Sequence, residues 1–156
     1  MKKIIAFLFT LSVLPIYACS LYKYAPRTTE PIYMHQSGIY MYNKSGEEID
    51  DAELKNIFGE ITKARELFKN CAKNGESFLA ELPKYPIIIA PARDIYVLGV
   101  DISGFTDQAV IFLRRDRLWK YTILHEWLHL YLYYTGKRFL GDIFHRDRAF
   151  KKCNVG

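Results

Sequence analysis

The sequence predicts a mixed α+β fold: a small mixed sheet, a long N-terminal helix, and a second long helix that carries the chemistry. Three observations predict it. Between residues 50 and 71 apolar side chains recur every three or four positions, the period of a helix with one buried face. Between residues 86 and 113 short apolar runs are punctuated by Pro and Gly, the pattern of short strands. From Arg117 to Tyr134 the chain is apolar nearly all round, as in a helix enclosed by its own protein. Strands and helices ordered in this way form an α+β domain.

Composition bounds the rest. The 156 residues leave room for one domain. Half are apolar and a quarter charged, a balance that can bury a core. Twelve Tyr and ten Phe argue against disorder. The net charge of +5 includes Lys2 and Lys3 at the front. The other basic residues are scattered, with short pairs at Arg114-Arg115 and Lys151-Lys152. Nucleic-acid binding calls for a basic stripe with exposed aromatics between the charges, so nucleic acid is not an expected partner.

The first elements concern export. Lys2 and Lys3 precede an apolar stretch, Ile4 to Ile16, and Ala18 is the small residue before a cleavage point; residues 1–18 read as a signal peptide. The stretch is shorter than the roughly 20 apolar residues that span a bilayer. Ile16-Tyr17-Ala18-Cys19 resembles the lipobox of bacterial lipoproteins, with Ile where Leu is common and a bulky Tyr in the middle. The resemblance implies lipidation of Cys19 and a membrane anchor in the bacterial cell envelope, in the periplasm or at the outer membrane. An ordinary signal peptide cleaved nearby is the alternative. With Cys19 lipidated, Cys71 and Cys153 remain as a pair. Outside the cytoplasm they can oxidise and persist. The bridge would close a loop of about 80 residues, worth about 4–5 kcal/mol; two free thiols are the alternative.

Residues 19–37 read as a tether and 38–156 as the domain. Gly38 to Tyr42 is a short strand, followed by a turn at Asn43-Lys44-Ser45-Gly46. The long helix starts at Asp50 or Asp51, with Glu53 in its first turn. Leu54, Ile57, Phe58, Ile61, Ala64, Phe68 and Cys71 form its apolar face, and Asn74-Gly75 ends it. Pro86 to Ala90 is a buried strand. Asp94 to Val100 and Gln108 to Leu113 are two more, separated by a turn containing Gly104. The second helix runs from about Arg117, capped by Asp116, to Tyr134. Thr135-Gly136 stops it and Gly141 marks a further bend.

That second helix contains His125-Glu126-Trp127-Leu128-His129, an HExxH pattern. Residues four apart lie on one helical face, with Cβ atoms about 5–6 Å apart. Two imidazole nitrogens can therefore reach one Zn2+ at about 2.0–2.1 Å. Glu126 is turned about 100° from His125, beside the metal, where a carboxylate can act as general base on a water. Two imidazoles and a carboxylate would be costly among apolar neighbours without partners, and a divalent cation resolves that cost for all three. Satisfied core histidines with Glu126 at the surface are the bland alternative.

A catalytic zinc needs a third protein ligand and one open position. His145 is the candidate, since Gly136 and Gly141 let the chain turn back. Asp142 and Asp147 compete for the role, and Asp147 can instead orient an imidazole from behind. His35 falls in the tether and carries no expected role. Tyr133 or Tyr134 is a possible aid to an oxyanion.

From about Ile87 to Cys153 the chain resembles small bacterial zincin-type metallopeptidases, which are often lipoproteins. The shared pattern is a strand, the HExxH helix, Gly136, a downstream His at His145, then Phe150 and Cys153. The metzincin form is absent, because Thr135 stands six positions after His129. The resemblance implies a zincin-like fold, with Zn2+ on His125, His129 and His145, Glu126 as base, and a peptide or protein substrate. It also implies that an edge strand, here Gln108 to Leu113, pairs with that substrate. An ordinary core strand is the alternative there. A second class of function stays open: an exported zinc-binding lipoprotein with a non-catalytic binding role. The sequence gives no oligomeric state.

Overall fold

A computed structural model describes residues 33–91, 96–97, 100–106, 110–136 and 145–155. The expected signal peptide, Cys19, most of the tether, Gly141 and Asp142 lie outside these residues. The fold is mixed α+β. Five strands form one sheet in the order β1-β2-β3-β7-β6, and β4 pairs with β5 in a separate hairpin. The strands are β1 Tyr33–Met34, β2 Tyr40–Asn43, β3 Ile87–Ala90, β4 Tyr96–Val97, β5 Val100–Asp101, β6 Gly104–Thr106 and β7 Ile111–Arg114. Strands β2, β3 and β7 run parallel, while β1 and β6 are antiparallel to their neighbours.

Strand β3 is buried on both faces, as a central parallel strand must be. Alternation divides its side chains. Ile87 and Ile89 join Met41, Ile111 and Leu113 in the main core, while Ile88 and Ala90 meet Val110 and Phe112 on the other face. The helices cover the main-core face. They are α1 Asp51–Cys71, α2 Gly75–Leu79, α3 Lys120–Tyr134 and α4 Arg148–Lys152.

Helix α1 begins where the sequence predicts. Asp50 is the N-cap, and its carboxylate accepts the Glu53 N–H at 2.7 Å. Its Ile57, Ile61, Ala64 and Phe68 are buried. Phe68 packs edge-on against Trp127 and Tyr131 of α3, with ring centres 6.3 and 5.7 Å apart. Helix α3 is thus fixed to α1 by an aromatic cluster. A Cys71–Cys153 disulfide joins the end of α1 to the end of α4.

Five expectations are corrected. Helix α3 starts at Lys120, and Asp116 does not cap it: Asp116 accepts from the Nε and Nη2 atoms of the buried Arg114 guanidinium. The first N–H of α3 is met from across the fold, by Glu60 Oε2 at 2.7 Å from Lys120 N. Gly104 lies in β6, not in a turn, and the stretch from Asp94 to Val100 contributes to two short strands. The stretch expected at the sheet edge ends in β7, which is interior; the edges among the described strands are β1 and β6. Finally, the sheet begins before Gly38. Tyr33 and Met34 pair with Met41 and Tyr40, so the end of the expected tether belongs to the fold.

Candidate metal centre

His125 and His129 stand one turn apart on α3, where nine of fifteen residues are buried. Their Nε2 atoms are 3.1 Å apart. His145 arrives from the segment before α4 with a left-handed backbone, φ +52°, and its Nε2 lies 3.2 Å from that of His129. One ligand atom from each residue lies within 4.8 Å of the others. Nitrogens bound at 2.0–2.1 Å to one tetrahedral ion sit about 3.3 Å apart. The spacing fits.

The protons argue the same way. His125 Nδ1 lies 2.9 Å from the main-chain carbonyl of Val155. A carbonyl only accepts, so Nδ1 carries the hydrogen and the Nε2 lone pair faces the cluster. His129 Nε2 lies within hydrogen-bond reach of both other Nε2 atoms, the donor and acceptor roles there depending on the tautomers of His129 and His145. Burial pushes the His125 pKa down, the Val155 carbonyl opposes this, and the neighbouring His145 adds to the fall. With each ring protonated on Nδ1, three Nε2 lone pairs would face one centre, where a divalent cation could be held. Phe150 floors the group, with its ring centre 5.4, 4.9 and 4.7 Å from those of His125, His129 and His145. His145 is the exposed member.

Asp147, a competitor for third ligand, is the N-cap of α4, accepting the Ala149 N–H at 2.9 Å. Among the described residues, the trio of histidines is the group able to hold an ion. His35 is neither exposed nor in a tether. It is 3 % exposed and bonded to Ser37 and Thr62. Tyr134 packs on Phe78, 5.7 Å between ring centres, and lines a cleft of about 320 Å³ that none of the three histidines lines.

Glu126 is 4 % exposed. The Thr106 hydroxyl donates to its Oε2 at 2.7 Å and lies 3.2 Å from its main-chain carbonyl. A Cβ on Gly104 would come within 2.9 Å of Glu126 Cγ and Oε1 and of Leu113 Cδ2. Only a glycine at that position in the strand leaves room for the carboxylate. Burial pushes the Glu126 pKa up to about 7, and the Thr106 hydrogen bond only partly opposes it. Such a group both accepts and releases a proton near neutrality.

Thr106, Gly104 and Val155 were not foreseen. A glycine between apolar runs was a usable signal for close approach, but it also fits a turn. Val155 acts through its main chain, which leaves no signal in residue type. Comparison with protein-family models, curated proteins and solved structures yields no match to this chain.

Proposed function

We propose that the chain is a zinc-dependent peptidase of the zincin type. The observation that carries this reading is the convergence of three imidazole Nε2 atoms, with the buried Glu126 following His125 directly in the same helix. His125, His129 and His145 hold the ion, and the exposed side at His145 leaves a position for solvent or substrate. Zinc bound there supplies Lewis acidity and brings the pKa of a bound water to about 7. Glu126 takes a proton from the attacking water and returns it to the leaving amine, a role matched by its pKa of about 7. Strand β6, an edge strand whose Thr106 is bonded to Glu126, is the strand to which an extended peptide substrate would be added. Export and a lipid anchor at Cys19 belong to the same proposal, giving a cell-envelope enzyme acting on peptides or proteins.

A second reading is a zinc-binding exported lipoprotein whose metal is structural. The engagement of Glu126 by Thr106 favours it, because an enclosed base must reach a water to work. One experiment separates the two. The purified chain is assayed for zinc by elemental analysis and for cleavage of a quenched-fluorescence peptide library, alongside Glu126→Gln. Peptidase action requires zinc in both proteins and cleavage in the wild type alone. Stoichiometric zinc with no cleavage by either supports the structural reading. Full activity in Glu126→Gln removes the general-base assignment.

A further inference from the structure

We infer that the C-terminal segment, residues 149–155, is a working part of the metal site: the Cys71–Cys153 disulfide sets metal affinity by holding the Val155 carbonyl against His125. The inference rests on the reading of the three histidines as ligands. It adds a restraint on the site that neither the motif nor the proposed reaction contains.

The segment cannot hold itself. Helix α4 has five residues, and isolated helices shorter than about 12 residues are marginal in water. A single turn succeeds it: Cys153 N–H bonds to Ala149 O at 2.9 Å, Asn154 N–H to Lys151 O at 3.2 Å, and Val155 N–H to Phe150 O at 3.1 Å. Asn154 is left-handed, φ +57°, which turns the chain back so that the Val155 carbonyl meets His125. Two anchors tie this turn to the rest of the molecule. Phe150, 1 % exposed, packs beneath the histidines, and Cys153 is bonded to Cys71.

The bridge ends on the right body. Cys71 is the last residue of α1, three residues after Phe68, which packs on Trp127 and Tyr131 of α3. The disulfide therefore refers the C-terminal turn to the same rigid unit that carries His125 and His129. Val155 is two residues from Cys153, a reach of about 7 Å at most, so fixing the sulfur confines the carbonyl. That carbonyl keeps the proton of His125 on Nδ1 and aims the Nε2 lone pair at the cluster. Losing a partner of this kind costs about 10–100-fold in metal affinity.

Closing the bridge is an exchange reaction. The Cys71 and Cys153 thiols give up two protons and two electrons to a disulfide oxidant, which is left as two thiols. In a reducing compartment the turn loses its covalent anchor and keeps only its packing, and the trio binds zinc more weakly. Oxidation completes the site. The restraint on metal binding is then built into the fold.

The test measures Zn2+ affinity of the full, oxidised chain by competition with a chromophoric chelator. It is compared with Cys71→Ser/Cys153→Ser, with a chain ending at Asn154 that keeps the disulfide, and with Val155→Ala, which keeps the carbonyl. Far-UV circular dichroism reports folding in each. The expected result is one zinc per wild-type chain, affinity about tenfold or more lower in the double variant and the shortened chain, and little change in Val155→Ala. Wild-type affinity in the folded double variant overturns the role of the disulfide; in the shortened chain, it overturns the role of the carbonyl. If the double variant does not fold, the shortened chain decides the role of the carbonyl, and the folded wild type reduced with a phosphine decides that of the disulfide, wild-type affinity after reduction overturning it. A tenfold loss in Val155→Ala assigns the effect to side-chain packing and also overturns the inference. No zinc on the oxidised wild type removes the metal site itself, a different failure from equal affinity in all four proteins.

Discussion

Two groups of histidine share this fold, and they are built on opposite principles. His35 has a partner for each ring nitrogen. Nδ1 accepts from Ser37, whose N–H lies at 3.1 Å and hydroxyl at 2.7 Å, and Nε2–H donates to Thr62 Oγ1 at 3.2 Å. Thr62 in turn donates to the Phe58 carbonyl at 3.0 Å, which closes the chain of donors and acceptors. In the other group His125 Nδ1 is bonded to a carbonyl, while the Nε2 atoms face one another at 3.1 and 3.2 Å. One arrangement is complete without a ligand. The other turns its Nε2 atoms toward a common centre that suits a cation. Burial alone therefore does not separate the two groups; the convergence of three Nε2 atoms does.

The largest expected effect breaks the comparison directly. His129→Ala removes the nitrogen that lies close to both of its neighbours, and the purified chain should lose its zinc and with it any peptidase activity. His35→Ala should keep stoichiometric zinc and instead lower unfolding stability by about 2–3 kcal/mol, the cost of stranded hydroxyls and a cavity. Elemental analysis and denaturant unfolding of the two variants read both effects. Zinc retained by His129→Ala, or lost from His35→Ala, would reverse the assignment.

Glu126→Gln has the next largest effect, and its two consequences point in opposite directions. Turnover should fall by about 10²–10⁴-fold, the usual contribution of a general base. Stability of the metal-free protein should rise. The carboxyl pKa goes from 4.5 to about 7 in the folded state, so the folded state binds the proton more tightly than the unfolded one. The penalty is absent below about pH 4.5 and complete above about pH 7, where it is on the order of 3 kcal/mol. Unfolding in the presence of a chelator at pH 8 should show Glu126→Gln more stable than the wild type, and at pH 4 the two should nearly coincide. A less stable variant at pH 8 would mean the carboxylate is better satisfied than its burial implies.

The parts of this site that were legible in the sequence are those set by helical period. The step of four between His125 and His129, the cap at Asp50 and the apolar stripe of α1 follow from local geometry, which residue types encode. The disulfide followed from cysteine arithmetic. What was missed depends on long-range pairing. Gly104 reads equally as a turn or as a strand residue until the position of Glu126 is known. The identity of the edge strand depends on β6 folding back beside β7, and Asp116 was drawn from the cap by a buried Arg114 two residues away. His35 was missed because Tyr33-Met34 is too short a run to announce a strand. HExxH named three of the residues; the fold supplied Thr106, Gly104 and Val155.

The smallest effect concerns acid, and it sharpens the contrast between the two groups. Burial lowers the His35 pKa below its ordinary 6.5, and the nearby Arg65 charge adds to the fall, outweighing a hydrogen-bond contribution from Phe58. The folded state then resists a proton that the unfolded state accepts, so stability present above pH 6.5 is lost as the pH falls through it. The lowered pKa of His125 contributes in the same direction. Zinc separates them. Protons compete with the metal for the trio, so adding zinc should steepen the loss between pH 7 and 5, whereas the His35 part should not respond to the ion. His35→Gln should therefore remove the same increment of acid sensitivity with zinc and with chelator. Thermal unfolding of both proteins across that range reads the result, and an increment that appears only with zinc would mean that His35 is coupled to the metal site after all.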